Sequence, residues 1–313
     1  MSKTEIKIQK LIAKADLFIR KRGDYNTAIK LINEAIMLDD KNPYGWYELG
    51  GAYLATDNLQ NAAVCFGKVV LINRAYKDTT LKLGYIHMKL GDMATARNFL
   101  QMAIESNPLN DVAWNTIALS YLAQGQLNEA FTHFEHVAQL NPRFKDVQYN
   151  MGVVQSALKN FDKAMLCFKA AIVVNPRDKQ SYLEMGRIAF SIAKQPENAI
   201  VLLNSALNID PNFKEALFEI GLAYMTQGNI TQAQNCLRRA IGLDPNYKEA
   251  WTALAPIYAH LKQYSEAISY CQKALAIDPK FFKAWKILGE IYEEIGDAQK
   301  AKECFQRVEQ FKH

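Results

Sequence analysis

The sequence predicts an all-α protein, a right-handed superhelical solenoid of nine tandem helix–turn–helix units, and three observations predict it. The first is spacing: Ala28, Ala62, Ala96, Ala130, Ala164, Ala199, Ala233, Ala267 and Ala301 follow one another at 34, 34, 34, 34, 35, 34, 34 and 34 residues. The second is that each interval holds two blocks of apolar residues at helical spacing, so each unit carries two amphipathic helices. The third is that glycine, proline and tryptophan fall in one register. A period of this size marks a repeat array: a lone helix pair cannot bury both its faces and must stack on its neighbours.

With each alanine set at position 20, a lead-in at 1–8 precedes units at 9–42, 43–76, 77–110, 111–144, 145–178, 179–213, 214–247, 248–281 and 282–313. The first helix of a unit carries its apolar face at positions 4, 7, 8 and 11. Trp46, Trp114, Trp251 and Trp285 hold position 4, Gly50, Gly84, Gly152, Gly186, Gly221 and Gly289 hold position 8, and Tyr53, Tyr121, Tyr224, Tyr258 and Tyr292 hold position 11. Small residues at 8 and 20 let the two backbones approach, and the large ones fill the seam. Gly23, Gly91, Gly125, Gly228 and Gly296 at position 15 end the first helix in a left-handed residue. The Asp or Asn after it, as in Asp24, Asn58, Asp92, Asn160, Asn229 and Asp297, caps the second helix. That helix packs through positions 20, 24, 27 and 28, with Phe66, Phe134, Phe168 and Phe305 at 24. The Asn-Pro or Asp-Pro pairs ending in Pro108, Pro142, Pro176, Pro211, Pro245 and Pro279 then stop it. The 35-residue interval is a one-residue turn insertion near Pro196. Pro256 falls inside a first helix, where it forfeits a bond to Thr252 at a cost of about 3 kcal/mol and predicts a kink.

In these residues the chain resembles the tetratricopeptide repeat family, over nearly its whole length. The resemblance implies a concave groove lined by first helices, a convex back of second helices, and about one superhelical turn for nine units. It places the groove lining at positions 2, 5, 9, 12 and 13, with 6 beside them. Carried onto this chain, the candidate peptide-binding residues are Tyr47, Glu48, Leu81, Lys82, Tyr85, Asn115, Leu119, Tyr149, Asn150, Val153, Leu183, Arg187, Phe190, Phe218 and Leu222. A stripe of apolar side chains pointing away from the packing seam marks a binding surface. The expected function is a non-catalytic scaffold that binds a partner peptide in this groove to assemble or localise a complex. The alternative is a peptide-responsive sensor whose superhelical pitch controls an effector. Aromatic residues at position 5 have a competing use, packing against the adjacent repeat.

Two subtypes are disfavoured. The carboxylate-clamp set of Lys and Asn is not supplied by any three consecutive units, and the Asn ladder at position 6 is reduced to Asn150, with Glu48, Lys82, Thr116, Glu184 and Glu219 elsewhere.

Composition narrows the remaining classes. With 50% apolar and 22% charged residues the chain supports a core from end to end and is not a disordered one. No apolar run reaches the roughly 18 residues a membrane span needs, and the charged N-terminus is unlike a secretory leader, so a soluble, cytoplasmic protein without membrane insertion is expected. A net charge of +5, scattered along the chain, gives no nucleic-acid footprint. Five cysteines without a C-x-x-C pair argue against disulfides and zinc; Cys65, Cys167, Cys236 and Cys304 share position 23 and Cys271 sits at 24, as packing residues do. His133 and His136 lie three apart, but two ligands make no metal site, and they read as surface histidines. No phosphate loop or nucleophile triad appears, so neither enzyme activity nor a cofactor is expected. The first unit presents Lys10, Lys14, Arg20 and Lys21 and the last two Glu249, Glu290, Glu293 and Glu294, a polarity suited to orienting a ligand or to head-to-tail contact. The last unit has no extra capping helix, which leaves homo-oligomer contact through that end as an expectation.

Overall fold

The computed structural model describes residues 3–311, so the outermost residues of the expected lead-in and last unit, 1–2 and 312–313, lie outside the described residues. Eighteen helices and no strand are found among the described residues. They divide into two compact units at Asn160 and Phe161.

The first unit holds α1 (Lys3–Arg22), α2 (Tyr25–Leu38), α3 (Pro43–Ala55), α4 (Leu59–Ile72), α5 (Thr79–Lys89), α6 (Met93–Ser106), α7 (Asp111–Ala123), α8 (Leu127–Leu140) and α9 (Val147–Ala157). The second holds α10 (Phe161–Val174), α11 (Lys179–Ser191), α12 (Pro196–Ile209), α13 (Lys214–Thr226), α14 (Ile230–Leu243), α15 (Lys248–His260), α16 (Tyr264–Ile277), α17 (Phe282–Glu294) and α18 (Ala298–Phe311). Odd-numbered helices are the first and even-numbered helices the second of each repeat, and the count is nine repeats. α1 begins at Lys3, so it runs through the stretch read as a lead-in.

The nine position-20 alanines are all buried, and the residues at position 24 from Ile32 through Cys271 are buried with them. Close approach explains the glycine at position 8. A Cβ on Gly84 would lie 2.4 Å from Leu100 Cγ and 3.2 Å from the Ala96 carbonyl, so the side chain at position 24 occupies the space that glycine leaves. In the eighth repeat the glycine is replaced by Ala255 and the position-24 residue shrinks to Cys271, both fully buried. That exchange of volume gives Cys271 a packing role.

The turn between the two helices is more uniform than its sequence. Besides the five glycines, Asp57 (φ 56°), Lys159 (φ 62°), Lys194 (φ 56°) and Lys262 (φ 59°) take the left-handed conformation, so every repeat has a left-handed residue at this turn; the first and sixth close it with a backbone bond six residues back, the other seven with one five back. The inserted residue of the sixth repeat is absorbed just before Lys194, and Pro196 starts α12 in the first turn, where proline is tolerated. α15 continues as helix on both sides of Pro256.

Turns between repeats rest on side chains. Asp39, Asn73, Asn107, Asn141, Asn175, Asp210, Asp244 and Asp278 each accept a bond from the backbone N–H two residues on, at 2.9–3.2 Å. This side-chain turn forms with or without the following proline, since Asp39 and Asn73 lack it. Each tryptophan ties the same turn down: the Nε1–H groups of Trp46, Trp114, Trp251 and Trp285 donate to the carbonyls of Asp40, Pro108, Pro245 and Pro279 at 2.8–2.9 Å.

Candidate peptide groove

Within each unit the first helices of successive repeats meet. The pairs are α1 with α3 and α5 with α7 in the first unit, and α11 with α13, α13 with α15 and α15 with α17 in the second. α3 with α5 and α7 with α9 meet less closely. At those two junctions, with no added residue, Lys77 (φ 47°) or Asp146 (φ 65°) takes the left-handed conformation, and the following helix starts late.

In the first unit the lining residues fall into two groups. Tyr47 and Leu81, both at position 5, are half-buried and pack against the cores below them. Tyr47 is fixed further: its ring lies edge-on to Phe66 and Tyr76, at 5.6 Å from each, and its hydroxyl donates to Asp78. Burial and the neighbouring Asp78 carboxylate keep that phenol protonated far above neutrality. Lys82 is paired with Asp78 at 2.9 Å. Position 9 is more open: Tyr85 is 41% exposed, and Leu119 and Val153 are half-buried. Tyr149 and Asn150 are half-buried on α9, and Asn115 buries its Oδ1 without a hydrogen-bond partner.

In the second unit Leu183 is only 2% exposed and belongs to a core cluster with Phe213, Ala216 and Ile220. It is a seam residue and not part of an open lining, because its side chain turns into the gap before the next first helix. Phe218 packs partly on the same kind of core and against Tyr247, with ring centroids 5.3 Å apart. Arg187 is held between Glu184 (2.8 Å) and Glu219 (2.9 Å), and Glu219 is itself buried. The guanidinium therefore neutralises a buried carboxylate across two repeats. Phe190 and Leu222 remain half-exposed on the open side.

Family comparison decides what this arrangement belongs to. The tetratricopeptide repeat profile matches residues 14–78, 81–143 and 218–281, and a second profile of the same description matches 121–185 and 258–312. The chain belongs to the tetratricopeptide repeat family. Among its relatives, a peroxisomal targeting signal receptor of Candida albicans is 25% identical over 255 residues, covering 67% of this chain and 42% of the relative. Anaphase-promoting complex subunit 3 of Schizosaccharomyces pombe is 23% identical over 187 residues, covering 60% of this chain and 28% of the relative. The chain thus spans less than half the length of these relatives. The crystal structure of the APC/C hetero-tetramer Cut9-Hcn1 superposes with a TM-score of 0.60 at 20% identity, covering 93% of this chain and 57% of that one, a likeness of fold.

The tetratricopeptide array holds two features that the reading of its sequence missed. In the second unit Lys179, Lys214 and Lys248, each at position 1, reach Asp210, Asp244 and Asp278 at 2.5–2.6 Å. Each ammonium also lies 4.5–5.4 Å from a ring, of Phe213, Tyr247 and Phe281 respectively. The signal was present as Lys at position 1 with Asp at 31 and an aromatic at 34. The second feature is on the back: Leu71 and Val173 are each 82% exposed, more than any lining residue. Leu71 joins Val64, Gly67, Lys68, Val70 and Phe99 around a shallow depression of about 370 Å³ in the first unit.

The chemistry-bearing residues are occupied by packing. His133 and His136 are half-buried against Trp114, and His133 stacks on Tyr121 at 5.2 Å, so they are not the surface histidines expected. Burial lowers the His133 pKa, with His136 adding to it. Burial pushes the Cys65 thiol up to about 11 and Cys271 to about 12, which leaves both unreactive at neutral pH. Among the described residues no group of three His, Cys, Asp or Glu is placed to hold a metal, and no helix is long and apolar enough to cross a membrane.

Proposed function

We propose that this tetratricopeptide chain is a non-catalytic scaffold that binds a peptide segment of a partner protein along the open side of its first helices. The observation that carries the reading is the set of half-exposed apolar side chains at position 9 of the first unit, Tyr85, Leu119 and Val153, beside Glu48, Lys82 and Asn150; Phe190 and Leu222 stand half-exposed on the second unit by themselves. They stand on helices whose other faces are locked in the core, which is the rigid, mostly apolar and sparsely polar surface a peptide site needs. Names among the relatives, a targeting-signal receptor and a subunit of a multiprotein complex, support a role in holding other proteins.

The test is a peptide selected from a random library on the folded chain, titrated against charge-introducing variants. Tyr85→Lys and Leu119→Lys are expected to weaken it at least tenfold with unchanged helicity. Unchanged affinity in both would overturn the groove reading. X-ray scattering with and without the peptide separates scaffold from sensor: a scaffold keeps its radius of gyration, and a ligand-driven change in it would favour the sensor.

A further inference from the structure

The junction of the second and third repeats, where α3 and α5 meet loosely, encloses an ammonium group in tyrosine rings. Lys77 Nζ lies 4.2 Å from the ring centroid of Tyr47, 5.2 Å from Tyr44 and 5.4 Å from Tyr76. Glu48 adds a carboxylate oxygen at 3.5 Å. Among the described residues no other lysine meets three rings in this way.

Two of the walls are braced from behind. Tyr44 packs against the core of Ile8, Ile12 and Ala35, and Tyr47 is braced by buried Phe66 and by its bond to Asp78. Lys77 sits on a left-handed backbone at φ 47°, a strained state for a residue with a side chain, and its side chain is 45% exposed. The other ring-stacked lysines differ in kind. Lys179, Lys214 and Lys248 each touch one ring here and make a charge-assisted bond to Asp at 2.5–2.6 Å, so they are structural clamps. Lys77 has three rings, and its distance to Glu48 exceeds the roughly 2.7–2.9 Å of a charge-assisted bond.

This is an environment for positive charge with few hydrogen-bond acceptors. A bare ammonium carries three donors that must find partners, whereas a methylated ammonium spreads its charge over methyl groups that ring faces accommodate. Two of the residues, Tyr47 and Glu48, belong to the groove lining, so the cage opens on the proposed peptide path. The equivalent junction before α9 has Val112 and Asn115 where Tyr44 and Tyr47 stand and forms no cage.

We propose that Tyr44, Tyr47, Tyr76 and Glu48 form a receptor site for a methylated lysine side chain of the partner, and that Lys77 is the built-in occupant it displaces. The idea rests on the groove reading for the direction from which the partner arrives, but the cage itself is testable without any peptide.

The probe is N-acetyl-trimethyllysine methylamide, titrated into the full chain by NMR alongside its unmethylated counterpart. Lys77→Gly removes the resident ammonium and suits the left-handed backbone, so its melting temperature is expected to hold or rise. It should bind the trimethylated probe at least fivefold tighter than the parent chain and at least tenfold tighter than it binds the unmethylated one. Adding Tyr76→Ala to Lys77→Gly should remove that gain. No gain in the folded Lys77→Gly chain, or equal affinity for the two probes, overturns the proposal. The two readings fail separately: a selected peptide that binds the parent while Lys77→Gly gains nothing leaves the groove standing without the cage. Probe binding with peptide affinity untouched by Tyr85→Lys and Leu119→Lys leaves the cage without the groove.

Discussion

At the scale of single residues, two backbone demands recur through the array and were legible to different degrees. The glycine at position 8 was readable because its absent Cβ is a packing requirement. With Leu100 Cγ 2.4 Å from the place a Cβ would take, Gly84→Ala is expected to lower stability by about 1–3 kcal/mol in urea denaturation. The left-handed turn at position 15 was readable only where the residue is glycine. Lys159, Lys194 and Lys262 adopt it because the capping bonds on either side leave no other path, as when Lys262 N–H reaches the Ala259 carbonyl at 2.8 Å and Gln263 N–H the Tyr258 carbonyl at 2.8 Å. Relieving the left-handed cost outweighs the extra chain entropy of glycine, so Lys262→Gly should gain about 0.5–1 kcal/mol. A loss of stability would show that the lysine side chain is held by something more than its backbone.

At the scale of helices and turns, the array depends on what joins one repeat to the next. Six of the first helices begin in one of two ways. Asn42, Asn110 and Asp178 cap α3, α7 and α11 with side-chain bonds to the backbone. α13, α15 and α17 start after Phe213, Tyr247 and Phe281, which make no such bond and instead serve as the ring beneath a lysine clamp. These clamps give a pH signature. The Lys179, Lys214 and Lys248 partners hold Asp210, Asp244 and Asp278 below the usual carboxylate range. A depressed carboxylate stabilises fully above its unfolded pKa of about 3.9, and that stability is lost as pH falls through the folded value. The urea midpoint of the parent chain is therefore expected to fall more steeply below about pH 4 than that of a Lys179→Met, Lys214→Met, Lys248→Met variant. Parallel curves would mean that solvent screening has removed the effect. Helix existence and register were clear in the sequence because nine copies average out local noise. The clamps were missed because each spans some thirty residues and is visible only once both turns are in place.

At the scale of the whole chain, nine tetratricopeptide repeats were predictable, and which of the candidate lining residues stand free was only partly so. Position within a repeat says which helix face a residue occupies, but not whether it stands free or fills the seam. Leu183 and Phe218 went to the seam, Arg187 went to a buried Glu219, and Tyr47 became the wall of a lysine cage. Tyr85, Leu119 and Val153 in the first unit and Phe190 and Leu222 in the second stay half-exposed, as the proposed lining requires. Meanwhile Leu71 and Val173 on the second helices are more exposed than any of these, so the groove has a rival on the same molecule. The direct test is calorimetric titration of one library-selected peptide into four folded chains: the parent, Tyr85→Lys and Leu119→Lys on the open side of the first helices, and Leu71→Lys on the back. At least tenfold weaker binding is expected for the two first-helix variants, with an unchanged affinity for Leu71→Lys; the opposite pattern would contradict the groove proposal and move the binding surface to the second helices.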